Sequence, residues 1–119
     1  NYIDTYQRSG QYKVQLPAIP GQEAAGEVVA LGPGVTKPKV GAQVAWTGVL
    51  GAYAELAAVP TDRLVVIPRG VTAKQAAAAM LQGMTAHYLA CSTYPLKKGD
   101  ICVAHAAAGG VGSALVLEA

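Results

Sequence analysis

Apolar positions in the first seventy residues come in short runs cut by glycine and proline. Residues 23–31 are rich in Ala and Val and stop at Gly32-Pro33-Gly34, which predicts a strand closed by a turn. Residues 41–46 predict a second short strand. Residues 53–59 alternate Tyr, Glu, Ala and Val with Ala and Leu between Gly51 and Pro60, the pattern of a half-buried strand. Residues 64–67, ahead of Pro68, predict another. Residues 1–21 carry polar and turn residues around Tyr2, Tyr6 and Tyr12, and residues 8–12 read as a loop. Short strands between such breaks suggest a small all-β barrel or sandwich.

After residue 71 the period changes. Thr72-Ala73-Lys74-Gln75 fits a capping box, in which the Thr hydroxyl and the Gln amide satisfy backbone N–H groups at a helix start. Ala76, Met80, Gly83, Met84, His87, Tyr88 and Cys91 then recur at helical spacing, placing His87 on the core face. Glycine inside a helix costs about 1 kcal/mol relative to alanine, so Gly83 predicts a bend or two consecutive helices. Lys97-Lys98-Gly99-Asp100 reads as a solvated turn. Residues 101–105 read as a short apolar strand ending on His105, a position where a lone histidine is more often structural than a base. A helix start follows near Gly112. The chain has no internal repeat.

Composition adds limits. The 119 residues are 52% hydrophobic and 13% charged, enough apolar surface for a core, and the net charge of +2 gives no electrostatic case for nucleic acid. Cys91 and Cys102 sit in apolar segments without metal-type spacing and read as buried, reduced thiols of a cytoplasmic protein. No stretch reaches the roughly 18–20 apolar residues of a membrane span. The opening Asn-Tyr-Ile-Asp is neither an initiator Met nor a signal peptide, so the chain is expected to start mid-protein.

One segment carries chemistry. His105-Ala106-Ala107-Ala108-Gly109-Gly110-Val111-Gly112 follows an expected strand and opens an expected helix, the context of a dinucleotide-binding turn. Small residues let the backbone approach a pyrophosphate, and the N–H groups of the helix start meet its charge. Ala107 replaces the first glycine of the usual fingerprint, and small-residue turns of this kind also arise from packing alone. The residue that selects NAD or NADP is expected about 20 positions further on, beyond Ala119.

Other segments then give a resemblance. Asn1-Tyr2-Ile3-Asp4-Thr5-Tyr6, Arg8-Ser9-Gly10 with Tyr12, Glu23-Ala24-Ala25-Gly26, Leu50-Gly51-Ala52-Tyr53, Gln82-Gly83-Met84-Thr85-Ala86 and residues 105–112 occur in the order and spacing of a known family. Over essentially its whole length the chain resembles the NADPH-dependent quinone oxidoreductases. These are zinc-free, zeta-crystallin-like members of the medium-chain dehydrogenase/reductase family. The resemblance implies a mixed α and β fold: an incomplete GroES-like β-barrel catalytic domain with its connecting helix over residues 1–95, then the first β-α of a Rossmann fold over 96–119. Further barrel strands before and after this stretch are implied as well.

The same resemblance implies NADPH as cofactor, contacted by Asn1, Ile3, Asp4, Tyr6, Thr85, Tyr88, Gly109, Gly110 and Val111. Tyr6 and Tyr12 would flank the reacting nicotinamide and a quinone. Zinc-dependent relatives carry Cys near the position of Asn1 and His at the position of Gln22, and amides are poor zinc ligands, so no metal is expected there. Gly41-Ala42-Gln43-Val44 departs from the family's Gly-Asp-Arg-Val and weakens an expected turn or surface charge.

Alternatives stand beside several residues. Tyrosines also pack under loops, Asn1 could be a frayed end, and Thr85 and Tyr88, one turn apart, could be core. Glu23 could be a buried structural carboxylate. The expected activity is NADPH:quinone reduction, with reduction of an activated C=C bond as the alternative. A crystallin-like or AU-rich RNA-binding role is the reading from another class. A homodimer is expected of the full-length protein, and the 119 residues alone are expected to be inactive.

Overall fold

The computed structural model describes residues 1–118; Ala119, the last residue of the expected helical tail and second domain, lies outside the described residues. The chain forms two compact units, Asn1–Ala78 and Ala79–Ala119.

The first unit opens with a short helix, α1 (Ile3–Arg8), where the sequence showed only polar and turn residues. Asp4 lies in its first turn and Arg8 in its last, the charge order that suits the helix dipole. The Thr5 hydroxyl donates to the Tyr2 carbonyl at 2.7 Å. Six residues are too few to hold a helix alone in water. A side-chain bond from Asp4 in its first turn to Gly21, and one from Asn1 just ahead of it to Glu23 in β1, anchor it.

Three antiparallel strands follow: β1 (Glu23–Glu27), β2 (Gln43–Thr47) and β3 (Val65–Val66), in the order β1-β2-β3. Ala25 faces Ala45, and Ala45 faces Val65. β2 is central, and its Val44, Ala45 and Trp46 are the buried hydrophobic residues of this unit. The sheet is open, with β1 and β3 as its edges among the described residues.

β1 stops at Glu27, short of the predicted Leu31. Val28 continues the pairing, its N–H donating to the Ala42 carbonyl and its carbonyl accepting the Gly41 N–H. The chain then turns at Gly32-Pro33-Gly34, where the Val35 N–H donates to Gly32 at 3.2 Å. Pro33 at the second position and Gly34 at the third, with φ 76°, fit a type II turn. The departure at Gly41-Ala42-Gln43 leaves its turn intact, since the Ala42 N–H reaches the Lys39 carbonyl at 3.1 Å. Gln43 donates to its cross-strand partner Glu27 at 3.1 Å.

The strand predicted over residues 53–59 does not form. The N–H groups of Gly51, Ala52 and Tyr53 go to the carbonyls of Gly21 and Pro20 instead of to a ladder. Tyr53 and Leu56 are left exposed.

Helix α2 (Ala73–Tyr88) begins with the expected capping box. The Gln75 N–H donates to Thr72 Oγ1 at 3.2 Å, and the Thr72 N–H donates to Gln75 Oε1 at 2.9 Å. Thr72→Ala is expected to lower stability by about 1 kcal/mol, read as a shift in the urea midpoint at constant slope. No shift would mean that the box is redundant. α2 runs unbroken through Gly83, so the predicted bend is absent; one interior glycine costs less than breaking the helix. The helix passes from the first unit into the second.

In the second unit α2 continues into a single π-helical stretch (Leu89–Thr93), against which α3 (Gly110–Glu118) packs. The buried hydrophobic residues here are Ala86 and Ala90, four apart. The predicted apolar stripe is thus displaced: Met84, His87, Tyr88 and Cys91 are exposed, and His87 is not a core residue. Neither cysteine is buried; Cys91 and Cys102 are both free and exposed. The Lys97–Asp100 turn forms, with the Asp100 N–H on the Lys97 carbonyl at 3.0 Å. Residues 101–104 pair with no strand among the described residues, and Ile101 and Val103 are 98% and 85% exposed. The helix of the expected strand-helix pair is present as α3.

Candidate functional site

In the first unit, α1 and the segment leading into β1 bring the predicted residues together. Asn1 Nδ2 donates to Glu23 Oε2 at 3.0 Å. Asp4 Oδ1 accepts from the Gly21 N–H at 3.2 Å. Gly21 is buried with φ 87°, and its carbonyl takes N–H groups from Gly51 at 3.0 Å and Ala52 at 3.1 Å. A Cβ on Gly21 would lie 2.6 Å from Tyr53 Cδ1 and 3.1 Å from the Tyr53 nitrogen. One glycine therefore ties α1, β1 and the 51–53 loop together. Sequence reasoning passed over it, although the Pro20-Gly21 pair is a turn signal.

The aromatic residues form a row. The Tyr2 and Tyr6 centroids are 5.5 Å apart and tilted by 56°; Tyr6 and Tyr12 are 5.4 Å apart and tilted by 58°. The backbone fixes the second pair, with the Tyr12 N–H on the Tyr6 carbonyl at 3.1 Å. Tyr6 is half-buried, while Tyr12 is 51% exposed. Tyr2 belongs to this row and was not expected as a site residue; its four-residue spacing from Tyr6 was the available signal. Ile3 is half-buried on α1.

Asn1 and Gln22 are the residues for which the resemblance implies ligands in zinc-dependent relatives. Asn1 turns its amide to Glu23. The Gln22 backbone carbonyl accepts the Gly48 N–H at 2.8 Å. Glu23 is half-buried and engaged, not fully buried. Two amides and one carboxylate make a poor donor set for zinc.

In the second unit the turn ahead of α3 is built for close approach. The Gly109 N–H closes on the Ala106 carbonyl at 2.8 Å, and Ala106 has φ 51°, a left-handed conformation uncommon for alanine. Gly112 is buried, and a Cβ there would overlap the Ala106 carbonyl and lie 2.6 Å from Ala107 Cα. Ser113 Oγ donates to the Ala107 carbonyl at 3.2 Å and ties the helix back to the turn. The Ser113 N–H returns to Gly109 at 2.8 Å. Gly110, Val111 and Gly112, ahead of it, are first-turn positions whose N–H groups have no intrahelical acceptor. No acidic residue occupies that turn to compete with an anion. The arrangement fits a phosphate of a dinucleotide.

Thr85 and Tyr88 share α2, but their polar groups differ. The Thr85 hydroxyl donates to its own helix at the Leu81 carbonyl, 2.7 Å away, whereas Tyr88 is 51% exposed. The hydroxyl of Thr85 must break that bond to donate to a ligand.

Known proteins share this architecture. The chain is 53% identical over 114 residues to a quinone oxidoreductase of Pseudomonas aeruginosa, covering 94% of this chain and 35% of that one. The crystal structure of Pseudomonas syringae quinone oxidoreductase superposes with a TM-score of 0.91 at 51% identity, covering 97% of this chain and 36% of that one. Escherichia coli quinone oxidoreductase, crystallised with NADPH, superposes with a TM-score of 0.89 at 43% identity, covering 94% of this chain and 35% of that one. The chain therefore spans about a third of the length of these relatives. Residues 1–69, more than half of the chain, match the alcohol dehydrogenase GroES-like domain, and the chain belongs to that family.

Proposed function

We propose that the protein carrying this chain is an NADPH-dependent quinone oxidoreductase that works without a metal. The observation that carries the proposal is the turn over residues 106–112. It offers three first-turn N–H groups to an anion, and Gly112 leaves no room for a side chain where the backbone must close. The NADPH in the crystals of the similar Escherichia coli enzyme supports this choice of cofactor. We assign residues 1–95 to the GroES-like catalytic domain with its connecting helix, and 96–119 to the start of the NADPH-binding domain.

Bound NADPH supplies a hydride equivalent from its nicotinamide; the protein positions it and excludes water. Gly110 and Val111 would take a phosphate on backbone N–H groups, while Gly109, whose own N–H is held by the Ala106 carbonyl, would let the phosphate approach the backbone closely. Asn1, Ile3, Asp4 and Tyr6 would contact the cofactor from α1 and its approach, with Asn1 held by Glu23 and Asp4 by Gly21. Thr85 and Tyr88 would contribute from α2. The Tyr6 and Tyr12 rings, tilted by 58° to each other, would border a planar quinone, with one ring face against it. A quinone accepts hydride or electrons without a protein nucleophile, which suits a site of amide, hydroxyl and aromatic groups.

We place the protein in the cytoplasm, consistent with two free cysteines, and expect a homodimer of the full-length chain. Among the described residues no helix is long and apolar enough to cross a membrane. RNA binding ranks lower, because a net charge of +2 provides little attraction for phosphate.

The full-length protein is expected to oxidise NADPH in the presence of a small quinone. Tyr12→Ala is expected to reduce quinone turnover about tenfold or more while leaving NADPH affinity within about threefold. Turnover of an enone but of no quinone would move the assignment to C=C reduction. Equal loss of turnover and NADPH affinity would take Tyr12 out of the quinone face.

A further inference from the structure

The second unit places three ligand-type side chains together that the proposed reaction does not use. His87, in the last turn of α2, and Cys91, in the π-helical stretch, are four residues apart; Cys91 Sγ lies 3.5 Å from His87 Nδ1. Glu118, in α3, brings Oε2 to 3.6 Å from the same Nδ1. One donor atom from each residue lies within 4.8 Å of the others, and all three residues are exposed.

The 3.5 Å and 3.6 Å separations from His87 Nδ1 suit neighbouring ligands of one metal ion as well as a hydrogen bond and an ion pair, and the Cys91–Glu118 separation, within 4.8 Å, would close on binding. Zinc bonds sulfur at about 2.3 Å and nitrogen or oxygen at about 2.0–2.2 Å, so tetrahedral ligands lie about 3.3–3.6 Å apart. Thiolate, imidazole and carboxylate suit a borderline ion, whereas Ca²⁺ and Mg²⁺ require an oxygen cage. His87 and Cys91 are set by helical spacing, and Glu118 arrives because α3 packs on the π-helical stretch. Sequence spacing gave no hint of the third ligand, which is 27 residues beyond Cys91.

We propose that His87, Cys91 and Glu118 form a binding site for a divalent transition-metal ion of the Zn²⁺ class, with water in the fourth position. His87 binds through Nδ1 and keeps its proton on Nε2. Cys91 binds as thiolate, releasing its proton to solvent. Exposure on all three sides lets the ion enter and leave. Coordination also withdraws the Cys91 sulfur from electrophiles, giving that thiol a metal-dependent reactivity that Cys102, also exposed, lacks.

The test adds Co²⁺ to the metal-free full-length protein and follows the thiolate-to-cobalt charge-transfer band. One equivalent should saturate it. Cys91→Ser should abolish the band, Cys102→Ser should leave it, and His87→Ala or Glu118→Gln should weaken binding at least about tenfold. Zn²⁺ should slow iodoacetamide modification of Cys91 at least about tenfold, with Cys102 as the internal standard. No band, a band surviving Cys91→Ser, unchanged affinity in both other variants, or equal protection of the two cysteines would overturn the proposal. No readout involves NADPH or quinone, so failure here is separable from failure of the proposed activity.

Discussion

Gly112→Ala is expected to weaken NADPH binding by at least about tenfold and to cost roughly 1–3 kcal/mol of stability. The added methyl would overlap the Ala106 carbonyl and press on Ala107 Cα. Both are backbone, so relief requires the turn to open and the first-turn N–H groups to lose their common direction. Gly110→Ala is the control. There the new Cβ meets Gln82 Cγ at 2.6 Å, the stem of a side chain whose Oε1 holds no hydrogen bond. Gln82 can rotate away, and alanine's better helix propensity offsets the cost to within about 1 kcal/mol. Isothermal titration of both variants checks the contrast. Equal losses at the two positions would mean that glycine is needed at this turn for some reason other than space.

Gly21→Ala is expected to destabilise the protein by at least about 2 kcal/mol and to disorder α1. Its φ of 87° disfavours any side chain, and the new Cβ would strike Tyr53. Moving Gly21 would loosen three attachments together: its N–H to Asp4, and its carbonyl to Gly51 and Ala52. With Asp4 released, the short α1 loses an anchor, and the Tyr2–Tyr6–Tyr12 row it carries should lose order. Urea unfolding gives the stability change, and near-UV circular dichroism of the tyrosines reports the row. A native tyrosine signal in a destabilised variant would show that α1 does not depend on Gly21.

What the sequence revealed follows from the range of the interactions involved. The capping box at Thr72 and Gln75, the turn at Gly32-Pro33-Gly34 and the small-residue turn before α3 are local arrangements, and they stand where the residues placed them. The strand limits depended on partners. Residues 53–59 alternate like a strand, yet the first N–H groups at this end go to Pro20 and Gly21. Residues 101–105 read as a strand by composition, but a strand exists only where a neighbour pairs with it. The helical face was misjudged because its period was read from methionine and tyrosine. The tightest packing falls instead on the small Ala86 and Ala90, which carry little signal in a hydrophobic pattern. For the same reason His87 and Cys91 were placed inside and stand outside.

The candidate site divides along the same line. The motifs located residues 1–12 and the turn as site segments, but neither the helical form of α1 nor the contacts that hold the two segments. Asn1 with Glu23, and Asp4 with Gly21, are 22 and 17 residues apart, beyond any local rule. Tyr2 joins the aromatic row through helical spacing that became visible only once α1 was known to be a helix.

Hydride or electron delivery from NADPH to a quinone without a metal can be followed in a single turnover. The full-length protein, stripped with chelator and loaded with NADPH, is mixed rapidly with a small quinone and, separately, with an enone. The decay of the reduced-nicotinamide absorbance is then followed. Rapid decay with the quinone, unchanged by chelator, is expected. Decay only with the enone, or decay with the quinone that requires added zinc, would contradict it.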